Sequence, residues 1–156
     1  MRIRLISVGT RMPGWVNEGV EEYARRIQND LGFSLIEVPL AKRSKAQAVA
    51  QFMAKEGDAM LGKIDRDEFV VALDVKGKSL DTSALAARLQ YFREESRNIC
   101  LLIGGPDGLH PSCLARADEK WSLSALTLPH PLVRVLITEQ LYRAHSLLQG
   151  HPYHRE

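Results

Sequence analysis

Four strand-like runs recur along this chain, at Arg2–Val8, Phe33–Val38, Phe69–Asp74 and Ile99–Ile103, with helical spacing in each gap between them. That alternation constrains the fold more than any other feature, because a crossover helix returns the chain to the end of the sheet where it began. The run FVVALD is almost wholly apolar, as a strand covered on both faces must be. The first helix carries Trp15, Val16, Gly19, Val20, Tyr23 and Ile27 and ends near Asn29 to Gly32. The second spans Lys45 to Ile64, with Val49, Phe52, Met53, Met60 and Leu61 facing inward. A turn over Val75–Lys78 leads to a third helix, capped by Asp81 or Thr82, with Leu85, Leu89 and Phe92 on one side. The fold class expected is α/β, a mostly parallel sheet with helices on both faces.

Past Gly108 the pattern changes. Leu109 to Ala117 allows one or two helical turns, and Trp121 to Leu123 reads as a last short strand. The loop SALTLPHP follows. Leu132 to Leu148 is a long final helix, with Pro131 in its first turn and Gly150 after its end. The 156 residues suffice for one domain, residues 1–156, with its own core. No apolar run approaches the roughly eighteen residues of a membrane span, and MRIRLISVG reads as a strand and not a signal peptide. A cytoplasmic protein is expected. Cys100 and Cys113 lack CxxC spacing, so neither a disulfide nor zinc is expected.

In an open parallel sheet, ligands bind outside the carboxyl ends of the strands. Three unusual segments fall there: Leu73–Lys78, Gly104–Gly108 and Ser124–Pro131. Gly104 and Gly105 leave the backbone bare, so that a flat group can lie against it; the alternative is a tight strand-to-helix turn. The spacing matches neither GxGxxG nor the P-loop, and Asp107 beside the turn would repel a phosphate. A cationic or zwitterionic adenosyl compound fits better than a nucleotide polyphosphate. In SALTLPHPLVR, Leu126 and Leu128 make the loop more apolar than a plain connection, which implies a buried wall with backbone groups free to read an adenine edge.

The tail HPYHRE holds three rings and an arginine. HxxH outside a helix, with no Cys or acid to complete it, does not make a metal site. His110, His130 and His145 read as structural or surface residues. The net charge is +2, from 21 bases and 19 acids, too mild by itself to argue for nucleic acid. Two basic clusters stand out locally, Lys42, Arg43 and Lys45, and Lys76 with Lys78 about Gly77.

Taken together, LLIGGPDGL, WSLSALTLPHPLVRVLITEQLYRA and HPYHRE resemble the RlmH family of small SPOUT-class methyltransferases, which act on a pseudouridine of large-subunit ribosomal RNA. VGTRMPGWV, EEYARR, LIEVP, KEG and LDVKGK extend the resemblance over essentially the whole chain. It implies a C-terminal deep trefoil knot, a homodimer, and S-adenosylmethionine bound in the knotted loops. The family's cofactor positions fall on Leu73, Gly105, Ser124, Ala125, Leu126, Thr127, Leu128 and Pro129. Tyr153, His154 and Arg155 would sit near the target base. His154 is the candidate to accept or relay the N3 proton, Arg155 the alternative as stabiliser of a developing anion, and Tyr153 the residue to stack on or orient the base. The partner implied is the ribosome, or large-subunit RNA, without membrane or metal. Three rivals remain: a transfer RNA methyltransferase, a noncatalytic ribosome-associated module, and an unknotted nucleotide-binding enzyme.

Overall fold

The computed structural model describes residues 1–154, without the side chain of His154. Five strands form the sheet: β1 (Ile3–Val8), β2 (Phe33–Val38), β3 (Phe69–Ser79), β4 (Ile99–Ile103) and β5 (Glu119–Ser122). Their order is β2-β1-β4-β3-β5 and every pairing is parallel. Five helices connect and follow them: α1 (Gly14–Ile27), α2 (Val49–Leu61), α3 (Thr82–Glu94), α4 (Pro111–Arg116) and α5 (His130–Leu148). A single 3-10 turn, Pro152–His154, closes the described chain.

Alternation along the central strands divides the apolar residues between two cores. Ile3 and Leu5 of β1, with Ile99, Leu101 and Ile103 of β4, join Leu89, Phe92, Ile137 and Leu141 on the α1, α3 and α5 face. Ile6 and Val8, with Cys100 and Leu102, meet Met60 and Cys113 on the α2 and α4 face. This is why the strands read as unbroken apolar runs. Both cysteines are free thiols in that second core, and burial pushes Cys100 up to about 12.

Local signals set the helix ends. Asp81 caps α3, its side chain accepting the Ala84 N–H at 2.8 Å. Gly150, just past α5, has φ +68°, a conformation that favours glycine. The second helix starts four residues later than its periodicity predicts, because Ala48 is extended and the segment before it has no apolar face to bury. Val49 is correspondingly exposed, while Glu56, a polar residue, is buried.

The largest departure lies in β3, which does not stop at Asp74. It runs on to Ser79, with both Leu73 and Lys78 paired to Trp121. Residues 74–77 are thrown out of register as an arch inside the strand. Gly77 lets the arch close, since a Cβ there would lie 2.6 Å from the Lys120 carbonyl carbon.

Candidate active-site cleft

All five strands deliver their carboxyl ends to one edge of the sheet, so the loops after them share a face. Three of those loops enclose a cleft of about 770 Å³: the 74–77 arch, the 104–108 turn and the 123–129 segment. That volume lies within the range of pockets that hold small-molecule ligands. Leu73, Gly105, Ser124, Leu126, Thr127, Leu128 and Pro129 all line it, and Ala125 lies exposed between two of them. The three strand-end segments singled out in the sequence are thus brought together.

Each loop has its own internal support. The 123–129 segment is folded by serines: Ser122 Oγ donates to the Ser124 carbonyl at 2.9 Å, and Leu126 N–H donates to Ser124 Oγ at 2.9 Å. The turn presents Leu126 outward at 74% exposure, a large apolar side chain at the mouth of the cleft. In the 104–108 turn, Gly108 donates to the Gly105 carbonyl at 3.0 Å and adopts φ +88°.

The glycines also serve the turn's own packing. A Cβ on Gly104 would lie 2.5 Å from the Gly108 carbonyl carbon, and one on Gly105 would meet Val8 and Glu56. The turn therefore needs glycine at 104 whatever occupies the cleft, while at 105 a side chain would only crowd its neighbours. Asp107 of this turn is held by an arginine from the loop after β2. Arg43 pairs with Asp107 at 2.7 Å and with the buried Glu56 at 3.0 Å, so one guanidinium is shared by two carboxylates and the cluster keeps a net negative charge beside the turn.

Two polar residues at the start of α5 were not assigned to a site in the sequence. Arg134 has no accessible surface and donates to Ser7 Oγ (3.0 Å), the Gly9 carbonyl (3.1 Å) and Glu37 (2.6 Å). It fastens the start of α5 to the carboxyl end of β1. His130 lines the cleft with Nδ1 buried and unpartnered. Burial first, then the Arg134 guanidinium, push its imidazole below the ordinary range, so the ring is neutral at pH 7. One signal was legible: a lone Arg in the apolar stretch VRVLIT cannot face a core without partners.

Tyr153 does not line this cleft. The Tyr153 hydroxyl donates to Glu139 at 3.0 Å, and its ring lies 4.5 Å from that of Tyr142 and 5.0 Å from the Arg143 guanidinium. Burial, then hydrogen bonding with Tyr23 and Glu139, raises the Tyr153 pKa, so the phenol stays protonated. Glu139 is nine residues into α5, about 14 Å along the helix from His130. Arg155 and the His154 side chain lie outside the described residues. No helix is long and apolar enough to cross a membrane, and no group of three or more His, Cys, Asp or Glu comes together, among the described residues.

The residues present suit S-adenosylmethionine: a largely apolar cleft for the adenine, exposed main chain for its edges, and no cluster of bases where phosphates would lie. Comparisons point the same way. Residues 1–154 match the family model described as "Predicted SPOUT methyltransferase". The chain is 59% identical, over 99% of both chains, to the ribosomal RNA large subunit methyltransferase H of Alkalilimnicola ehrlichii. It is 56% identical, over 99% of this chain and 100% of the other, to the protein of that name from Azotobacter vinelandii. Two solved structures share the fold at low identity. One is a probable methylase family protein from Haemophilus influenzae (TM-score 0.54, 13% identity, 99% of this chain and 70% of that one). The other is a probable methyltransferase from Bordetella pertussis (TM-score 0.52, 18% identity, 92% and 95%).

Proposed function

This chain belongs to the SPOUT methyltransferase family, alongside the ribosomal RNA large subunit methyltransferases H, and from that membership we propose that it methylates N3 of a pseudouridine in large-subunit ribosomal RNA, acting on assembled ribosomes in the cytoplasm. The methyl donor of the family is S-adenosylmethionine, whose sulfonium supplies the activated methyl group and the leaving group. One observation carries the reading: the three loops named by the sequence converge on a single cleft at the carboxyl edge.

The chain's own residues then have definable tasks. Main-chain groups of 123–129 read the adenine edge, and Leu73, Leu126 and Leu128 exclude water. The Gly104–Gly108 turn and the arch would hold the donor, whose methyl must lie between sulfur and the target nitrogen for displacement. N3 must lose its proton to be a nucleophile, and His154 accepts or relays it unless Arg155 instead stabilises the developing anion. Tyr153 is held on α5, so this reading requires the tail either to leave Glu139 or to act across the homodimer. The C-terminal passage is read as the knot: the chain leaves β5, lines the cleft beside the arch and the 104–108 turn, and returns as α5 against α1 and α3. That path supports the reading.

The test is incubation with methyl-labelled S-adenosylmethionine and ribosomes, free ribosomal RNA or transfer RNA from cells lacking this protein. Label in a pseudouridine of large-subunit RNA, strongest with assembled ribosomes, is expected. Label confined to transfer RNA would overturn the substrate. Failure of all three to take label, with no cofactor binding, would overturn the reaction.

A further inference from the structure

The near-neutral total conceals a concentration of bases at one end of the sheet. Loops at the carboxyl end carry Arg11, Lys42, Arg43, Lys45, Lys76 and Lys78 against Asp74, Asp81 and Asp107. Segments at the amino end are balanced, with Asp30, Asp65, Asp67, Glu68, Glu95 and Asp118 against Arg2, Lys63, Arg66, Arg97 and the adjoining Arg4 and Arg116, which pair with Glu68 and Asp118. The acids of the carboxyl end are engaged: Asp107 with Arg43, Asp81 in the α3 cap, Asp74 on the Lys76 N–H. Arg11, Lys42, Lys45, Lys76 and Lys78 form no ion pair among the described residues.

The same end concentrates exposed apolar side chains. Trp15, Leu40, Val49, Val75 and Leu126 are five of the six large hydrophobic residues exposed among the described residues. Each stands in a loop or first helical turn at the carboxyl edge. Unpaired bases interleaved with a ring and aliphatic surface suit a polyanion that also has flat faces. A second copy docking here face to face would set like charges against each other.

One loop of this face is tied to the cleft. Segment 39–48, which carries Lys42 and Lys45, is held by Arg43, whose guanidinium bridges Glu56 on α2 and Asp107 on the glycine turn. The Ala41 N–H donates to the same Glu56 carboxylate at 3.1 Å, and a Cβ on Gly105 would lie 3.6 Å from Leu40. We propose that the carboxyl-end face is the RNA-docking surface, with segment 39–48 as an arm that takes RNA phosphates on Lys42 and Lys45 and is clipped to the cleft by Arg43. The proposal rests on the RNA-methylating reading and names the surface that reading requires. Arg43 is a positioning residue: it fixes the distance between phosphate-holding arm and glycine turn.

The test uses the full chain with the double substitution Lys42→Ala/Lys45→Ala, and Lys63→Ala/Arg66→Ala as a control that removes equal charge from the opposite end. Binding to a labelled fragment of large-subunit RNA is measured across salt concentrations, apart from turnover on unmethylated ribosomes. The arm variant is expected to bind RNA at least tenfold more weakly, with a log–log salt slope shallower by about 1 to 2. Its KM for ribosomes rises while kcat and cofactor affinity hold, and the control stays near wild type. Arg43→Ala is expected to lower kcat and cofactor affinity as well, with part recovered in Arg43→Lys, since an ammonium cannot bridge both carboxylates bidentately. Equal losses from both double variants, or none from the arm variant, would overturn the proposal. So would an arm variant altered in self-association but not in RNA binding, which would give the face to a second copy. A wild type that binds RNA through the arm yet methylates nothing keeps the surface and sinks the reaction.

Discussion

Arg134 is an arginine with no accessible surface, and its burial is tolerable only because four acceptors meet it, those of Glu37, Ser7, Val8 and Gly9. Ser7 interrupts the apolar run of β1 at the one position facing this guanidinium, which explains a polar residue in the middle of IRLISV. Arg134→Met keeps most of the volume but strips the donors from Ser7, Gly9 and Glu37. Glu37 is partly exposed and can rehydrate, so the loss belongs near the low end for a broken buried pair, about 3 kcal/mol. Urea unfolding reads it directly, and a change under about 0.5 kcal/mol would show that the α5 anchor is dispensable. Loosening of the 123–129 loop, which enters α5 a turn earlier, should accompany the loss as weaker cofactor binding.

At the scale of elements, the arch inside β3 is the feature on which the cleft most depends. Gly77→Ala would drive a Cβ into main chain of β5, which cannot step aside as a flexible side chain can. The expected cost is about 1–3 kcal/mol, seen as a fall of about 3–10 °C in thermal midpoint together with weakened cofactor binding. An unchanged midpoint would mean that β5 shifts freely. The arch also marks where sequence reading stops. The order of elements, both-face burial and the three strand-end segments that line the cleft were legible, because alternation and helical period depend on local side-chain pattern. That DVKG is an arch within a strand was not, since only the pairing of Leu73 and Lys78 with the same Trp121 defines it. Glu56 and Arg43 were equally invisible as a pair: one sits on a helix, the other on a loop, and they meet only after the sheet has formed. His130 was read as structural or surface, and its place in the cleft wall depends on the return of α5 to the end of β1.

For the whole molecule, the proposed docking face gathers bases without ion pairs at one end of the sheet, so a chain of net charge +2 still offers a polyanion a locally basic surface. The homodimer implied by family resemblance should sediment at about twice the 17.5 kDa chain mass at micromolar concentration. A monomer under those conditions, still active in methyl transfer, would remove the dimer from the reaction. The placement of α5 carries a different consequence, for the order in which the molecule is made. It fills the space over β1 and β4 between α1 and α3, and its buried arginine completes the end of the first strand. During synthesis, nearly everything that α5 covers is translated before it. The growing chain must hold an open apolar face until the last tenth or so of its length has emerged, so a pause in translation late in the message, before α5 is free to dock, is where this protein is most exposed to aggregation and to chaperone capture.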